Sequence, residues 1–228
     1  MPLPVLLSRA SRGGIPTSGL YLWLKADAGT FSDAGTTPAV NAGTVQQWND
    51  QSGNSRHAIQ LTGSKKPTLT VVGQNGKPNV VFDVDDFLAV TTSNLASPYT
   101  LIIVGRCTNA NGYMFDGTPF DQGGISYSGG NLRFIASGGT VSMADTPGAT
   151  KIITAINNST SSSLRVNNGT ATTGTSGGSL VSPFQIGGIS IGLGIQGWIN
   201  ELLLFNYALA AATQESILRT LNAKWAVY

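Results

Sequence analysis

Phe184-Gln185-Ile186-Gly187-Gly188, followed by Gly197-Trp198-Ile199-Asn200-Glu201-Leu202-Leu203-Leu204-Phe205-Asn206-Tyr207-Ala208-Leu209, decides the fold. The first run reads as a short apolar strand ending on paired glycines, and the second as a long strand that is almost wholly apolar. Then the period changes. From Ala210 onward Ile217, Leu218, Leu221 and Trp225 fall at helical spacing, while Gln214, Glu215, Arg219 and Lys224 face elsewhere. That spacing predicts an amphipathic helix over about 210–225. No Ser, Thr or Asp directly precedes it, and Asn206 is the nearest residue of capping type. Just upstream, Leu164-Arg165-Val166-Asn167-Asn168-Gly169-Thr170 reads as a strand entering a hairpin, since Asn168-Gly169 suits the positive φ angles of a two-residue turn. In that order these pieces describe a closing β-sandwich with a helix docked after its last long strand.

The rest of the chain agrees. Of 228 residues 29 are Gly, only 11% are charged and 41% are hydrophobic, with a net charge of +2. Many short strands joined by tight turns account for that composition, and it is too apolar and too weakly charged for disorder. Leu20–Lys25 is the first clear strand. Val45–Trp48 stops at the turn Asn49-Asp50-Gln51-Ser52-Gly53-Asn54. Asn79–Phe82 and Phe87–Val90 read as a hairpin through Asp83-Val84-Asp85-Asp86. Thr100–Arg106 is a continuous apolar run, expected of a strand covered on both faces, and Lys151–Ile156 is another strand. The expected organisation is an irregular arm over residues 1–18 and one sandwich domain over 19–228.

Three further segments carry a resemblance. Tyr21-Leu22-Trp23-Leu24-Lys25-Ala26-Asp27, then Trp48-Asn49-Asp50-Gln51-Ser52-Gly53-Asn54, then Asn75-Gly76-Lys77-Pro78 leading into Val80-Val81-Phe82-Asp83, precede the closing strand and helix in fixed order. From about Gly19 to Trp225 the chain resembles the laminin-G-like, concanavalin A-like lectin-glucanase sandwich domains of the bacterial and phage type. The resemblance implies an all-β fold, a two-sheet antiparallel jelly-roll sandwich with a C-terminal helix. It also implies that Trp23, Trp48, Trp198 and Trp225 serve the core and the docking of the helix. Members of that family bind sugars, proteins or calcium, or build surfaces, so the fold leaves function open.

The residue inventory excludes several chemistries. Glu201 and Glu215 have no carboxylate within three residues, so the paired acids of a retaining glycosidase are missing. His57 is the single histidine and follows a turn with no nucleophile elbow, which speaks against a Ser-His-Asp triad. One Cys and one His exclude a zinc site, and Cys107 cannot form an intrachain disulfide; it reads as a small packing residue. The near-neutral balance argues against nucleic acid. Apolar runs of four or five residues, and a proline-broken Met1–Leu7, argue against membrane insertion and a signal peptide.

Three groups remain as candidates. Tyr113, Asp116, Phe120, Asp121 and Tyr127, in the loop-rich stretch 108–135, place aromatics beside carboxylates as a glycan site requires. Asp50 with Asn54, and Asp83 with Asp85 and Asp86, offer oxygen ligands for calcium, although Asp and Asn also favour such turns by bonding their own backbone. Leu3, Val5, Leu6, Leu7, Arg9 and Arg12 form an apolar-then-basic arm suited to docking on a neighbouring subunit. The leading expectation is a non-catalytic structural or adhesive component of a bacteriophage virion: a capsid decoration, head fibre or tail protein. It would be made in the bacterial cytoplasm, displayed on the virion surface, and assembled with other virion subunits or as a homo-oligomer. The alternative is an extracellular carbohydrate-binding module reading a cell-surface glycan through the 108–135 loops. No cofactor is required under either reading.

Overall fold

A computed structural model describes residues 14–189 and 192–228 of the chain. The arm residues Leu3, Val5, Leu6, Leu7, Arg9 and Arg12 therefore lie outside the described residues. In chain order the first strands are β1 (Leu20–Lys25), β2 (Thr30–Phe31), β3 (Gln47–Trp48), β4 (Ala58–Ile59), β5 (Thr68–Thr70), β6 (Asn79–Phe82), β7 (Leu88–Val90) and β8 (Tyr99–Cys107). They are followed by β9 (Gly112–Asp116), β10 (Gly124–Ser128), β11 (Asn131–Ala136), β12 (Gly139–Ala144), β13 (Lys151–Asn157), β14 (Ser162–Val166), β15 (Thr172–Gly174), β16 (Phe184–Ile186) and β17 (Gly197–Phe205). The chain then enters α1 (Ala211–Trp225).

These strands build two antiparallel sheets packed as a sandwich. An eight-stranded sheet runs β15-β14-β13-β8-β17-β6-β5, with β1 also on β17; a nine-stranded sheet runs β12-β11-β10-β9-β16-β7-β4-β3-β2. Strand β17 is the spine of the first sheet. Along one edge it pairs with β8, with a register shift at Asn200; along the other, Gly197–Ile199 pair with β6 and Glu201–Phe205 with β1. Asn200 sits where the partner changes. Its amide donates to Asn79 Oδ1 at 2.5 Å, and its carbonyl receives the Ala26 amide at 2.8 Å.

Strict alternation divides the apolar residues between two cores. Leu101 and Ile103 of β8, with Leu202 and Leu204 of β17, point between the sheets. Ile102, Val104, Leu203 and Phe205 point outward and meet Ile217, Leu218, Leu221 and Trp225 of α1. This is why the closing strand and Thr100–Arg106 read as unbroken apolar runs. Ala210 precedes the helix as its extended N-cap residue with no side-chain capping bond, so Asn206 does not serve as a cap.

The chain departs from the sequence reading in three places. Asn79–Phe82 and Phe87–Val90 do not form a hairpin: β6 belongs to the eight-stranded sheet and β7 to the nine-stranded one, and Asp83–Asp86 carries the chain between them. The hairpin after β14 is longer than two residues, and its positive φ (53°) falls on Asn167, whose Oδ1 receives the Ile152 amide at 2.9 Å. Finally, Trp48 and Trp225 are fully buried, but Trp23 and Trp198 are only partly so. The Trp198 ring lies under the Arg106 guanidinium at 4.7 Å rather than against α1.

Candidate functional site

The five candidates in the 108–135 stretch separate by face. Tyr127 points into the main core and is 3% exposed. Its hydroxyl donates to Asp145 Oδ2 at 2.6 Å, and Lys151 Nζ reaches the same oxygen at 2.5 Å, so this group closes one end of the sandwich. Asp116 is fully buried and accepts the amides of Gly117 (2.7 Å), Asp121 (2.5 Å) and Gln122 (3.0 Å). Burial pushes its carboxyl up to about 7, against those three donors, which favour the anion. Asp116 thus holds the 117–122 loop from beneath, and neither it nor Tyr127 is placed to touch a ligand. Tyr113, Phe120 and Asp121 remain at the surface: Phe120 is 53% exposed, and the Tyr113 hydroxyl donates to Asp121 Oδ1 at 2.7 Å. Burial and that carboxylate both raise the Tyr113 hydroxyl above its ordinary range.

The calcium candidates resolve into turn chemistry. Asp50 Oδ1 accepts the amides of Trp23 (3.0 Å) and Ser52 (2.9 Å), while Oδ2 accepts Ser52 Oγ (2.8 Å) and the Arg56 amide (3.1 Å). Asn54 turns its Nδ2 inward, onto the carbonyls of Leu20 (2.8 Å) and Tyr21 (3.1 Å). Four donors saturate a carboxylate, so this pair does not fit a calcium ion. Asp83 Oδ1 accepts the Val84 amide and Asp86 Oδ2 the Asp83 amide. Burial, and the like charges of Asp83 and Asp85, raise the Asp86 carboxyl above its usual range. Among the described residues no three His, Cys, Asp or Glu side chains are grouped to hold a metal.

Cys107 is buried at the Lys151 end of the core, where burial pushes its thiol up to about 11. Such a thiol is protonated at neutral pH and is not a nucleophile.

A cleft of about 800 Å³ lies elsewhere, on the outer face of the nine-stranded sheet over β4 and β7. The turn built on Asp50 delivers its polar wall. Arg56 stacks over the Tyr21 ring at 3.7 Å, with Nε donating to Thr92 Oγ1 (3.3 Å) and Nη1 to the Tyr21 carbonyl (2.9 Å). His57 accepts the Asp50 amide on Nδ1 at 3.1 Å, so the neutral ring carries its proton on Nε2. Ile59, Leu61 and Phe87 supply the apolar part of the lining, and Thr91 and Thr92 the hydroxyls. Gln60 braces the floor: its Nε2 donates to the Phe87 carbonyl at 3.1 Å and its Oε1 accepts the Thr62 amide at 3.0 Å.

Of the lining residues only Asn54 belongs to a candidate group in the sequence reading, as a calcium ligand with Asp50, and His57 enters there only as an excluded triad base. The alternation around β4 points the opposite way to the usual rule. Ala58 and Gln60 are buried while Ile59 and Leu61 face solvent, Leu61 at 76% exposure. Two large apolar residues turned outward beside an arginine are a binding-surface signal, but only once the register of β4 is known.

No family model matches the sequence, and no curated protein matches it. Solved structures do match its fold. Trypanosoma rangeli sialidase in complex with sialic acid aligns with a TM-score of 0.61 at 13% identity, over 91% of this chain and 34% of that one. The binding domain of Paraclostridial Mosquitocidal Protein 1 aligns at 0.63 and 15% identity, over 90% and 53%. Botulinum neurotoxin type C, whose cell entry depends on interaction with two ganglioside molecules, aligns at 0.55 and 11% identity, over 90% and 52%. The chain thus spans a third to about half the length of these proteins. What they share with it is a β-sandwich of the concanavalin A-like, jelly-roll type.

Proposed function

We propose that the protein is a non-catalytic carbohydrate-binding module that reads a cell-surface glycan through the cleft over β4 and β7. The observation that carries this is the composition of the cleft: the apolar surfaces of Ile59, Leu61 and Phe87 face the same space as fixed donors on Arg56 and His57. A sugar ring presents C–H faces to such apolar patches and hydroxyls to such donors, and a few oriented polar groups on a mainly apolar wall are what small-ligand sites use. No Asp or Glu lines the cleft, so it lacks the acid pair of glycoside hydrolysis. Glu201 is bound to α1 and Glu215 to Arg165, both away from this face.

The structural neighbours lend support, since they include a protein that holds sialic acid and one that engages gangliosides. The site moves relative to the sequence reading, from the 108–135 loops to the turn and strands at 54–61 and 87–92. Display of such a module outside a cell is part of the same proposal, and the neighbours favour it over the virion role that led the sequence reading. Assembly through the arm concerns residues outside those described, whereas the cleft is formed wholly by described ones.

A glycan array followed by amide-shift mapping with the best-bound oligosaccharide tests the reading. Perturbations are expected at Arg56, His57, Thr91 and Thr92. Perturbations confined to Phe120 and Asp121 would place the site on the loops, and an array with no bound glycan would remove the function itself.

A further inference from the structure

The charge around the cleft is one-sided. Arg56 has five N–H donors and directs one to Thr92 and one to the Tyr21 backbone; its Nη2 has no partner among the described residues. The guanidinium is held over the Tyr21 ring, 3.7 Å from its centroid, and by its two hydrogen bonds, so little ordering cost is left for binding. His57 adds an Nε2–H donor, fixed because Nδ1 is occupied by the Asp50 amide. Lys65 is outside the lining, but its Nζ stands 5.6 Å from the centroid of the Phe87 ring, which belongs to it.

No carboxylate offsets these groups within the lining. Asp50, the acid nearest in sequence, is 8% exposed and saturated by the turn. Asp86 precedes Phe87 but lines a different groove, beside Trp198. The aromatic and aliphatic surfaces would hold a neutral sugar, yet a rigid fork with free N–H groups matches a planar or tetrahedral anion.

We propose that the cleft selects acidic glycans, with Arg56 receiving the carboxylate or sulfate of the sugar, His57 donating beside it, and Phe87 with Leu61 covering the ring's apolar face. This rests on the carbohydrate-binding reading and narrows its ligand class. Carboxylated and sulfated sugars share the required chemistry, and the probes separate them.

The experiment is isothermal titration of the full chain with four oligosaccharides: lactose, 3′-sialyllactose, a hyaluronan tetrasaccharide and a heparin tetrasaccharide. Lactose is the neutral parent, the next two carry carboxylates alone, and the last adds sulfates. The expected result is binding of at least one acidic probe and at least tenfold weaker binding of lactose. Affinity for the acidic probe should fall as salt rises from about 0.05 to 0.3 M, because added ions screen an exposed charge pair. Arg56→Met should weaken the acidic probe tenfold or more. Because Arg56 also packs on Tyr21, Leu61→Glu serves as the second variant: it places a carboxylate at an exposed rim position and should abolish acidic binding with an unchanged melting temperature.

Equal binding of lactose and 3′-sialyllactose, insensitive to salt and to both variants, would overturn the acidic preference while leaving a glycan-binding protein. Acidic binding that survives both variants would overturn the assignment to this cleft. Failure of all four probes, together with a blank array, would remove the carbohydrate reading and this inference with it.

Discussion

Asp116 shows how a residue that looks like a ligand can instead be the support of a loop. Its carboxylate is aimed at three backbone amides, and an Asp near Tyr and Phe in a sequence does not reveal whether it faces a sugar or its own chain. The same ambiguity covered Asp50 and Tyr127, and only their neighbours in space resolved it. Because burial raises the Asp116 carboxyl from 3.8 to about 7, the folded protein retains that proton in a pH range where the unfolded chain has lost it. Between those values the folded state binds more protons, so this residue's contribution makes the protein less stable as pH rises through the window. Asp116→Asn cannot titrate. The melting temperature of the natural protein relative to this variant is therefore expected to increase from pH 7.5 to pH 4.5, and a constant difference would show that Asp116 is ionised throughout. Arg56 and His57 were illegible for a simpler reason: nothing in a sequence says that a turn will be clamped so as to aim them at one cleft.

At the level of elements, strands were legible wherever both faces or one clear face carried apolar residues, as in β1, β8, β13 and β17. Helix α1 was legible from its period alone. Pairing was harder to read. A strand-turn-strand segment has the same pattern whether its arms pair with each other or diverge into opposite sheets, and Asp83–Asp86 does the second. The contact that fixes α1 to the sheet is polar at its centre. Glu201, 1% exposed, receives the indole of Trp23 on Oε1 (2.7 Å) and, on Oε2, the indole of Trp225 (2.8 Å) and the ammonium of Lys224 (2.8 Å). Removing Glu201 leaves two indole N–H groups without an acceptor, whereas Lys224, 23% exposed, keeps its bridge to Asp27. Glu201→Ala is accordingly expected to cost about 2–5 kcal/mol in urea unfolding, at roughly 1–3 kcal/mol for each donor left unpaired. Glu201→Gln keeps the side-chain volume and one acceptor oxygen, although it sets an NH2 against a donor and loses the charge opposite Lys224, and it should cost less. A cost under about 0.5 kcal/mol for Glu201→Ala, the scale of an ordinary surface change, would mean that the cluster adds nothing to docking.

For the whole molecule, the class of fold was legible in the order of the motifs: their resemblance to laminin-G-like sandwich domains implied two sheets with a helix docked after the closing strand. What the order could not supply was which patches stay open. Helix α1 covers Ile102, Val104, Ile152, Leu203 and Phe205, so one sheet is dry on both sides along its centre. A chain ending at Ala210 would expose that strip as a contiguous apolar patch of the kind soluble monomers avoid. Such a truncation is expected to bind a hydrophobic dye and leave the monomer peak in size-exclusion chromatography. A truncated chain that remains a dye-free monomer would show that the sandwich stands without its helix.

The pairing of β1 with β17 also has a consequence in time. Leu22 finds its register partner in Leu204, near the opposite end of the chain. A ribosome delivers the first strand long before the strand that will satisfy its backbone, and β8 waits in the same way for β17. Until β17 emerges, both present open apolar edges to whatever chaperone or protease is near. A chain cut short anywhere before Gly197 therefore lacks the strand on which β1, β6 and β8 all pair, and its earlier strands have no native sheet to join.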